Sequence, residues 1–507
     1  MDIYLKFIVA LLPIILLMVA LGVFKVPGHI ICPITLVVTI ILAILMWEMP
    51  FGITASAALE GIALAVWPIM IVIIAAVFTY NLSIYTKGMD VIKKMLTGVT
   101  NDRRILVLIL AFGFGGFLEA VAGFGTAVAI PAGILAALGF EPMFAATICL
   151  IANTTPTAFG AIGLPVNTLA KVSDISVGPL SYTISLQLFG FIVILPFVLV
   201  MITGKGFKGL KGVIGITIAS GLSFAIVQMI VAKYLGAELP AVLGSVVSMG
   251  VTIFIAKVFY KDKSLEEEEK VSFKQGVIAW LPFILIFIFI ILVSPLFPAI
   301  YEPIAAVKTS VSIYKGAGAH PYTFVWLATP GTIIIVATFI GGLIQGASFG
   351  AIVKVFLETV KQMFKSAITI IAIVALAKVM GYSGMIKSIA LVLVMATGSF
   401  YPVISPLIGA LGTFVTGSDT SANVLFGGLQ VEAAKSLGVN SYWLAAANTC
   451  GATAGKMISP QSIAVATAAT GLEGSEGKIL NSTLKYCVSY VILLGVLTYI
   501  GTLIGMW

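Results

Sequence analysis

The chain has 507 residues, of which 60% are hydrophobic and only 9% are charged, with a mean hydropathy of +1.17. Soluble domains carry about 25% charged residues, so this composition excludes a soluble enzyme, a nucleic-acid-binding protein and a disulfide-stabilised scaffold. The net charge of +8 comes from Lys and Arg scattered among short loops, which also disfavours a nucleic-acid partner. A bilayer-spanning helix needs about 20 apolar residues, and the chain is therefore predicted to be a polytopic helical membrane protein, lying in a lipid bilayer.

Ten apolar runs are long enough to span a bilayer. In chain order they lie near residues 3–22, 30–47, 61–84, 180–203, 212–234, 238–257, 276–299, 326–346, 366–386 and 484–506. Two further regions, residues 105–172 and 388–470, are apolar but interrupted by Gly, Pro, Asn, Thr and Ser. Together these features predict an all-α polytopic fold with about 12 to 14 transmembrane helices, some of them discontinuous or re-entrant.

Basic residues predict the orientation, because short loops rich in Lys and Arg stay in the cytoplasm. These residues concentrate in four connections, at residues 85–104, 204–211, 257–274 and 354–365. Placing all four in the cytoplasm puts Lys25 inside and the N-terminus, Glu48 and Glu60 outside. The acidic run Glu266–Glu269 is then a solvated cytoplasmic loop, and residues 299–325 form the largest external loop.

The two interrupted regions contain an internal repeat. NTTPTAFGAIGLP at 153–165 and NTCGATAGKMISP at 448–460 share the pattern N-T-x5-G-x4-P, with an offset of 448 − 153 = 295 residues. Upstream, the segment GFGT at 123–126 corresponds to GSDT at 417–420. The loop charges place the entry to the first copy on the cytoplasmic side and the entry to the second outside, so the repeats are predicted to be inverted.

Polar residues and helix breakers at membrane depth are costly unless they line a cavity or are buried in protein. Two such stretches in matching halves are typical of the binding site of a secondary transporter. We expect each helix to break directly after its Asn-Thr pair, which would leave half-helix N-termini that suit an anion. The predicted substrate-binding residues are Asn153, Thr154, Asn448, Thr449, Ser418, Thr420, Ser459 and Lys456.

Three ionisable residues lie in or beside the interrupted helices, where an unpaired charge costs several kcal/mol. Glu119 and Asp419 are the candidate proton-coupling residues, because a carboxyl group buried there can bind a proton near neutral pH. Lys456 is a candidate partner for a substrate carboxylate or for one of the two acids. A fixed ion pair that only stabilises the fold is an equal alternative.

Other chemistries find little support in the sequence. GFGGFLEAVAGFG lacks the strand–helix context of a dinucleotide fingerprint, and its glycines are predicted to pack helices. GATAGKM is one residue short of a phosphate-binding loop and lacks the following Ser or Thr, so an ATP-driven pump is not expected. The four cysteines are far apart, without metal-ligand spacing, and are predicted to be buried free thiols. No catalytic residues, metal site or cofactor are expected.

The interruptions divide the chain into five predicted regions. They are residues 1–104 (N-terminal transmembrane helices), 105–203 (first repeat), 204–387 (scaffold helices and loops), 388–470 (second repeat) and 471–507 (C-terminal transmembrane helix). The two repeats form the predicted transport region.

Four stretches of the chain resemble the L-lactate permease family. They are FLEAVAGFGTAVAIPAGILAALGF (117–140), ANTTPTAFGAIGLPV (152–166), TGSDTSANVLFGGLQ (416–430) and AANTCGATAGKMISPQSIAVATAATG (446–471). The resemblance implies proton-coupled symport of lactate, and often of glycolate, across the cytoplasmic membrane of a prokaryote. It also implies membership of a wider ion-transporter superfamily that moves by alternating access in an elevator-like manner, for which a homodimer is a common assembly.

Three other functions remain open at this point. A sodium-coupled carboxylate symporter shares nearly every feature and differs in its ion dependence. An anion channel also has polar residues at membrane depth, but it does not need inverted repeats. A membrane-embedded enzyme would need a nucleophile with a base, or a metal cluster, and the sequence offers neither pattern.

Overall fold

The computed structural model describes residues 3–22, 24, 26–123, 125–260, 271–293, 297–472 and 475–505. Eleven of its helices are long and apolar enough to cross a membrane, and a bent pair, Pro142–Thr157 with Gly160–Ser173, makes a twelfth. The predicted all-α polytopic membrane fold with discontinuous helices is confirmed. Lys25 and the acidic run at 266–269, both assigned to cytoplasmic loops above, lie outside the described residues.

The N-terminal region consists of five helices. They are α1 (Ile3–Gly22), α2 (Gly28–Met46), α3 (Phe51–Leu64), α4 (Ile71–Tyr85) and α5 (Gly88–Thr97). A π-helical turn, Ala65–Met70, joins α3 to α4, and Trp67 leaves helical geometry there (φ −137°). Pro68 follows Trp67, and its ring and missing N–H prevent a regular helix from continuing through this point. The long apolar run therefore crosses the membrane with a kink.

The first repeat begins with a helical hairpin whose two ends lie close together. Its helices are α6 (Arg103–Val107), α7 (Gly115–Val121) and α8 (Thr126–Ala137), with a π-helical turn Leu108–Phe114 between α6 and α7. Arg103, at the start, donates to the Gly139 carbonyl (2.8 Å) and lies 4.1 Å from the centre of the Phe140 ring, just after the end. The two ends of the hairpin therefore lie together, and residues 122, 123 and 125 belong to its tip.

The rest of the first repeat is a discontinuous helix followed by a regular one. These helices are α9 (Pro142–Ala152), α10 (Thr154–Thr157), α11 (Gly160–Ser173) and α12 (Val177–Thr203). The 27 residues of α12 form one long transmembrane helix. The short α10 continues α9, and the chain bends by 49° between Thr157 and Gly160.

The middle of the chain supplies long helices and one small sheet. After a 3₁₀ turn, Phe207–Leu210, come α13 (Ile214–Tyr234), α14 (Pro240–Phe259), α15 (Phe273–Leu292), α16 (Pro298–Ala305), α17 (Pro330–Ile344) and α18 (Phe349–Ser383). Strands β1 (Lys308–Val311) and β2 (Tyr322–Val325) lie between α16 and α17 and pair antiparallel, with Lys308 opposite Val325. This hairpin occupies the predicted external loop.

The β-hairpin is fixed to the helices by specific contacts. Tyr314, in its connecting loop, stacks on Tyr382 of α18 with ring centres 3.7 Å apart. The Tyr382 hydroxyl donates to the buried Glu60 carboxylate (2.6 Å), and Lys378 forms an ion pair with the same oxygen (3.2 Å). Glu60, expected at the external side, is thus paired between helices beneath the hairpin. The hydrogen-bonded pairing compensates for burying its charge.

The second repeat follows the same order as the first. Its elements are α19 (Met385–Thr397), a 3₁₀ turn Gly398–Phe400, α20 (Tyr401–Thr416), α21 (Asp419–Leu437), α22 (Ser441–Lys456) and α23 (Pro460–Thr470); α24 (Glu476–Leu503) ends the described chain. Helices α20 and α21 form a second hairpin, whose tip is Gly417-Ser418. The tips of the two hairpins therefore fall on the repeat segments GFGT and GSDT.

Small residues permit the close packing around both hairpins. A Cβ added to Gly113 would lie 3.0 Å from Met249 Cβ, and one added to Gly116 would lie 3.3 Å from the Phe224 ring. These contacts agree with the predicted packing role of the glycine-rich segment. All four cysteines are buried free thiols, as predicted.

Candidate functional site

Both repeats contain a helix break, but each break lies later than predicted. In the first repeat, the bend follows Thr157, and Ala161, Ile162 and Gly163 adopt positive φ angles of 42°, 56° and 71°. In the second repeat, α22 continues without interruption through Asn448 and Thr449 to Lys456. The expectation that each helix breaks directly after its Asn-Thr pair is therefore wrong.

The Gly and Pro of the shared motif, rather than its Asn and Thr, mark the breaks. In the second repeat, Pro460 opens α23, where its missing N–H costs nothing, and the Ser459 side chain caps the helix by accepting from Ser462 N (3.2 Å). Asn448 and Thr449 stay helical because their side chains find hydrogen-bond partners on neighbouring helices. A satisfied polar side chain does not require the backbone to unwind.

A cavity of about 470 Å³ lies where the hairpin tips meet the two helix breaks. Both repeats line it, and so do α2 and α18. Its volume falls in the range of about 300–1,000 Å³ that is typical of small-molecule sites. Gly28 and Ser366, also in the wall, lie next to segments that the charge distribution places in the cytoplasm; the basic segment 354–365, predicted as a connection, is part of helix α18. The cavity therefore reaches toward the predicted cytoplasmic side.

A buried ion pair joins the two repeats in the cavity wall. Lys456 Nζ, from the second break, lies 3.3 Å from Glu119 Oε1, from the first hairpin, and the two residues are 9% and 2% exposed. Glu119 Oε2 and Asp419 Oδ2 are buried and have no hydrogen-bond partner among the described residues. An unpartnered carboxylate oxygen in such a place is costly unless it binds a proton, a water or a ligand.

A chain of hydrogen bonds extends from Asp419 into the protein. Thr449 Oγ1 donates to Asp419 Oδ1 (3.0 Å), and Asn423 Nδ2 donates to Thr449 Oγ1 (2.7 Å). Asn448 Nδ2 donates to Asn423 Oδ1 (3.0 Å), and Gln430 Nε2 donates to Asn448 Oδ1 (3.2 Å). This network fixes the side chains behind the cavity. It uses one oxygen of Asp419, Oδ1, and leaves the other, Oδ2, without a hydrogen-bond partner among the described residues.

The predicted site residues fall into two groups. Those that line the cavity are Glu119, Ser418, Asp419, Thr420 and Lys456. Those buried outside its lining are Asn153, Thr154, Asn448, Thr449 and Ser459. Asn448 and Thr449 belong to the hydrogen-bond network, and Thr154 Oγ1 donates to the Ile151 carbonyl (2.9 Å). The Asn153 amide is buried without a partner among the described residues. The substrate-binding role of eight of these residues and the proton-coupling role of Glu119 and Asp419 stay predictions.

Sequence reasoning missed two members of this network, Asn423 and Gln430. Both lie on α21, at four and eleven residues after Asp419, so they share one helix face with it. That spacing of polar residues in an apolar chain is the signal that could have identified them. Gln430 also accepts hydrogen bonds from Tyr401 (3.1 Å) and Ser405 (2.8 Å).

Comparisons with known proteins relate the chain to one family of membrane permeases. The L-lactate permease family model matches residues 6–505. The chain is 56% identical over 440 residues to an L-lactate permease of Streptococcus iniae, covering 87% of this chain and 93% of that protein. It is 36% identical over 533 residues to the glycolate permease GlcA of Escherichia coli, covering 97% and 94%. A solved structure, MtrF of Neisseria gonorrhoeae, aligns with a TM-score of 0.48 and 13% identity, covering 85% and 81%.

Proposed function

The chain belongs to the L-lactate permease family, and from that premise we propose that it carries lactate and related small 2-hydroxymonocarboxylates, such as glycolate, across the cell membrane together with a proton. The names of its relatives, L-lactate permease and glycolate permease, support this substrate class. The observation that carries the proposal is the buried Lys456–Glu119 ion pair in the wall of a cavity that both repeats form.

Lys456 is the proposed binding group for the substrate carboxylate. It is the one cation in the cavity lining among the described residues. Its present partner is another carboxylate, Glu119, so an incoming organic acid can take the place of Glu119 without leaving the ammonium group unpaired. Ser418 and Thr420 line the same cavity and supply hydroxyl groups suited to the substrate's 2-hydroxyl.

Glu119 is the proposed proton carrier. Once the substrate carboxylate occupies Lys456, Glu119 loses its counter-charge in a buried place, and its charged form becomes costly. Binding a proton removes that cost, so each substrate anion brings one proton with it. Asp419 is the second candidate, because one of its oxygens is also unpartnered and the residue lines the cavity.

Coupling to a proton also has an energetic reason. Lactate is an anion at neutral pH, and a membrane potential that is negative inside opposes its entry by about 2.3 kcal/mol per 100 mV. Moving one proton with the anion makes the cycle electroneutral. Uptake is then driven by the pH gradient.

We also propose that the two repeats move together against the remaining helices. The cavity lies between the repeats and residues of α2 and α18, so a displacement there would change the side to which it opens. This is the alternating access expected of inverted repeats with discontinuous helices.

The test is uptake of labelled lactate into proteoliposomes. With the lumen alkaline and sodium absent, the purified protein should accumulate lactate, and collapsing the pH gradient should stop accumulation. A protonophore-insensitive uptake that needs a sodium gradient would contradict proton coupling. In that case the cavity oxygens of Asp419, Ser418 and Thr420 would be assigned to a sodium ion. Steps of conductance far above carrier turnover would indicate a channel instead.

A further inference from the structure

A smaller recess lies on the other side of the first helix break. Its volume is about 120 Å³, and its polar lining comes from Asn167, Thr168 and Lys171 of α11 and from Glu238 in the loop between α13 and α14. We call it the Lys171 recess. Leu164 lines both this recess and the main cavity, so a single side chain is part of both walls.

The polar groups of the Lys171 recess are incompletely paired. Asn167 Nδ2 donates to Glu238 Oε1 (3.1 Å). Thr168 is fully buried, and its hydroxyl has no hydrogen-bond partner among the described residues. Burial raises the pKa of the Glu238 carboxyl, while the Asn167 hydrogen bond and the charge of Lys171 oppose that rise. A buried hydroxyl without a partner is suited to binding a polar ligand.

The lining of the recess shares two residue types with that of the main cavity, one lysine and one glutamate from different elements. Lys456 and Glu119 form a buried ion pair, whereas Lys171 is exposed and forms no ion pair with Glu238. The unwound residues 161–163 lie between the two. A Cβ added to Gly163 would lie 2.1 Å from the Ala237 carbonyl oxygen, so this unwound segment packs directly against the loop that carries Glu238. Movement of the first break would therefore change the walls of both the main cavity and the Lys171 recess.

The two cavities lie toward opposite faces of the membrane. The Lys171 recess is bordered by Glu238, after α13, and by Pro330, at the start of α17. The other end of α13 follows the basic loop 204–211, and the other end of α17 is joined by residues 345–348 to α18, whose first turns carry the basic residues of 354–365. The charge distribution places both of these ends in the cytoplasm. The recess is thus on the predicted external side, opposite the loops near the main cavity.

We propose that the Lys171 recess is an external binding station for the carboxylate substrate, at which the exposed ammonium group of Lys171 pairs with the substrate anion. Asn167 and Thr168 would donate to its oxygens. Leu164 closes the route to Lys456 until the first break moves. This inference rests on the proposed transport function, because it assigns the outer end of the same pathway.

The first test compares the KM for lactate from the two faces of oriented vesicles. Lys171→Gln should raise the external KM about tenfold and leave the internal KM within about twofold, since it removes binding at one face. Lys171→Arg, which keeps the charge, should behave like the unsubstituted protein. An equal change at both faces, or no change, would overturn the proposal. Size-exclusion profiles of both variants check that they fold.

The second test detects occupancy without transport. The native cysteines are all buried, so a cysteine introduced as Pro330→Cys, at the border of the recess, can be labelled selectively with a membrane-impermeant thiol reagent from outside. Lactate should slow this labelling, but not the labelling of a Ser310→Cys control on the exposed β-hairpin. Protection without lactate accumulation would contradict the proposed transport function and support lactate binding in the recess. Accumulation without protection would support transport and overturn the proposed binding site in the recess.

Discussion

The two helix breaks have the same sequence motif and different structures. The first unwinds through three consecutive left-handed residues, 161–163, whereas the second is a short turn followed by a helix that Ser459 caps. They also differ in charge: Ala161 occupies the position, 295 residues earlier, that Lys456 occupies in the second repeat. The backbone repeat thus provides two converging breaks, and the charge difference between them creates one ion pair that neither repeat could form alone.

The largest effect is expected from removing the cation of the second break. Lys456→Gln leaves Glu119 buried without its partner, which costs about 3–5 kcal/mol of folding free energy. Lactate uptake should fall at least about a hundredfold, because the carboxylate also loses its binding group. Thermal unfolding in detergent and proteoliposome uptake measure the two effects separately. The double variant Lys456→Gln with Glu119→Gln should recover stability but not uptake; recovered uptake would show that the pair is only structural.

Glycines at matching positions of the two breaks should differ in their tolerance of a methyl group. A Cβ at Gly455 would lie 2.1 Å from the backbone oxygen of Ala410, whereas one at Gly160 would meet a side-chain atom, Glu119 Oε1, at 2.9 Å. Gly455→Ala should therefore cost about 3 kcal/mol or more, and Gly160→Ala about 1 kcal/mol. Unfolding midpoints measure this difference. Gly250→Ala, in a helix with open space around the glycine, is the control, and equal losses at both breaks would refute the packing account.

The two motif asparagines provide a third comparison. Asn448→Ala leaves the Asn423 carbonyl and the Gln430 amide without partners, which should cost about 1–3 kcal/mol. Asn153→Ala removes an amide that has no partner among the described residues and leaves no other polar group unpaired, so the loss of stability should be smaller than for Asn448→Ala. Lactate affinity, measured on both variants, shows whether either amide contributes to binding. A larger stability loss for Asn153→Ala than for Asn448→Ala would contradict the network.

The last comparison concerns the cap of the second break. Ser459→Ala removes the acceptor for Ser462 N and should lower stability by about 1 kcal/mol, while Ser459→Asp should largely retain the cap. Thermal unfolding of the two variants is sufficient. Equal destabilisation by Ala and Asp would mean that Ser459 acts through packing rather than capping.

Much of the fold was predictable because apolar length and loop charge directly reflect the bilayer. The repeat motif also predicted two helix breaks. The interrupted regions around it identified Glu119, Asp419 and Lys456 as candidate functional residues. The positions of the breaks were not predictable from Asn and Thr, since tertiary partners decide whether a polar side chain in a helix is satisfied. Asn423 is an example: it bonds to Thr449 on another helix, and no local pattern specifies that contact. The Glu60–Lys378 pair was missed for the same reason.

The most direct measurement of the central claim separates lactate exchange from lactate accumulation in the Glu119→Gln variant. If the Glu119 carboxyl carries the coupled proton, the variant should exchange lactate across proteoliposomes but fail to accumulate it in a pH gradient, and Asp419→Asn should still accumulate it. Accumulation by Glu119→Gln at the rate of the unsubstituted protein would contradict the account.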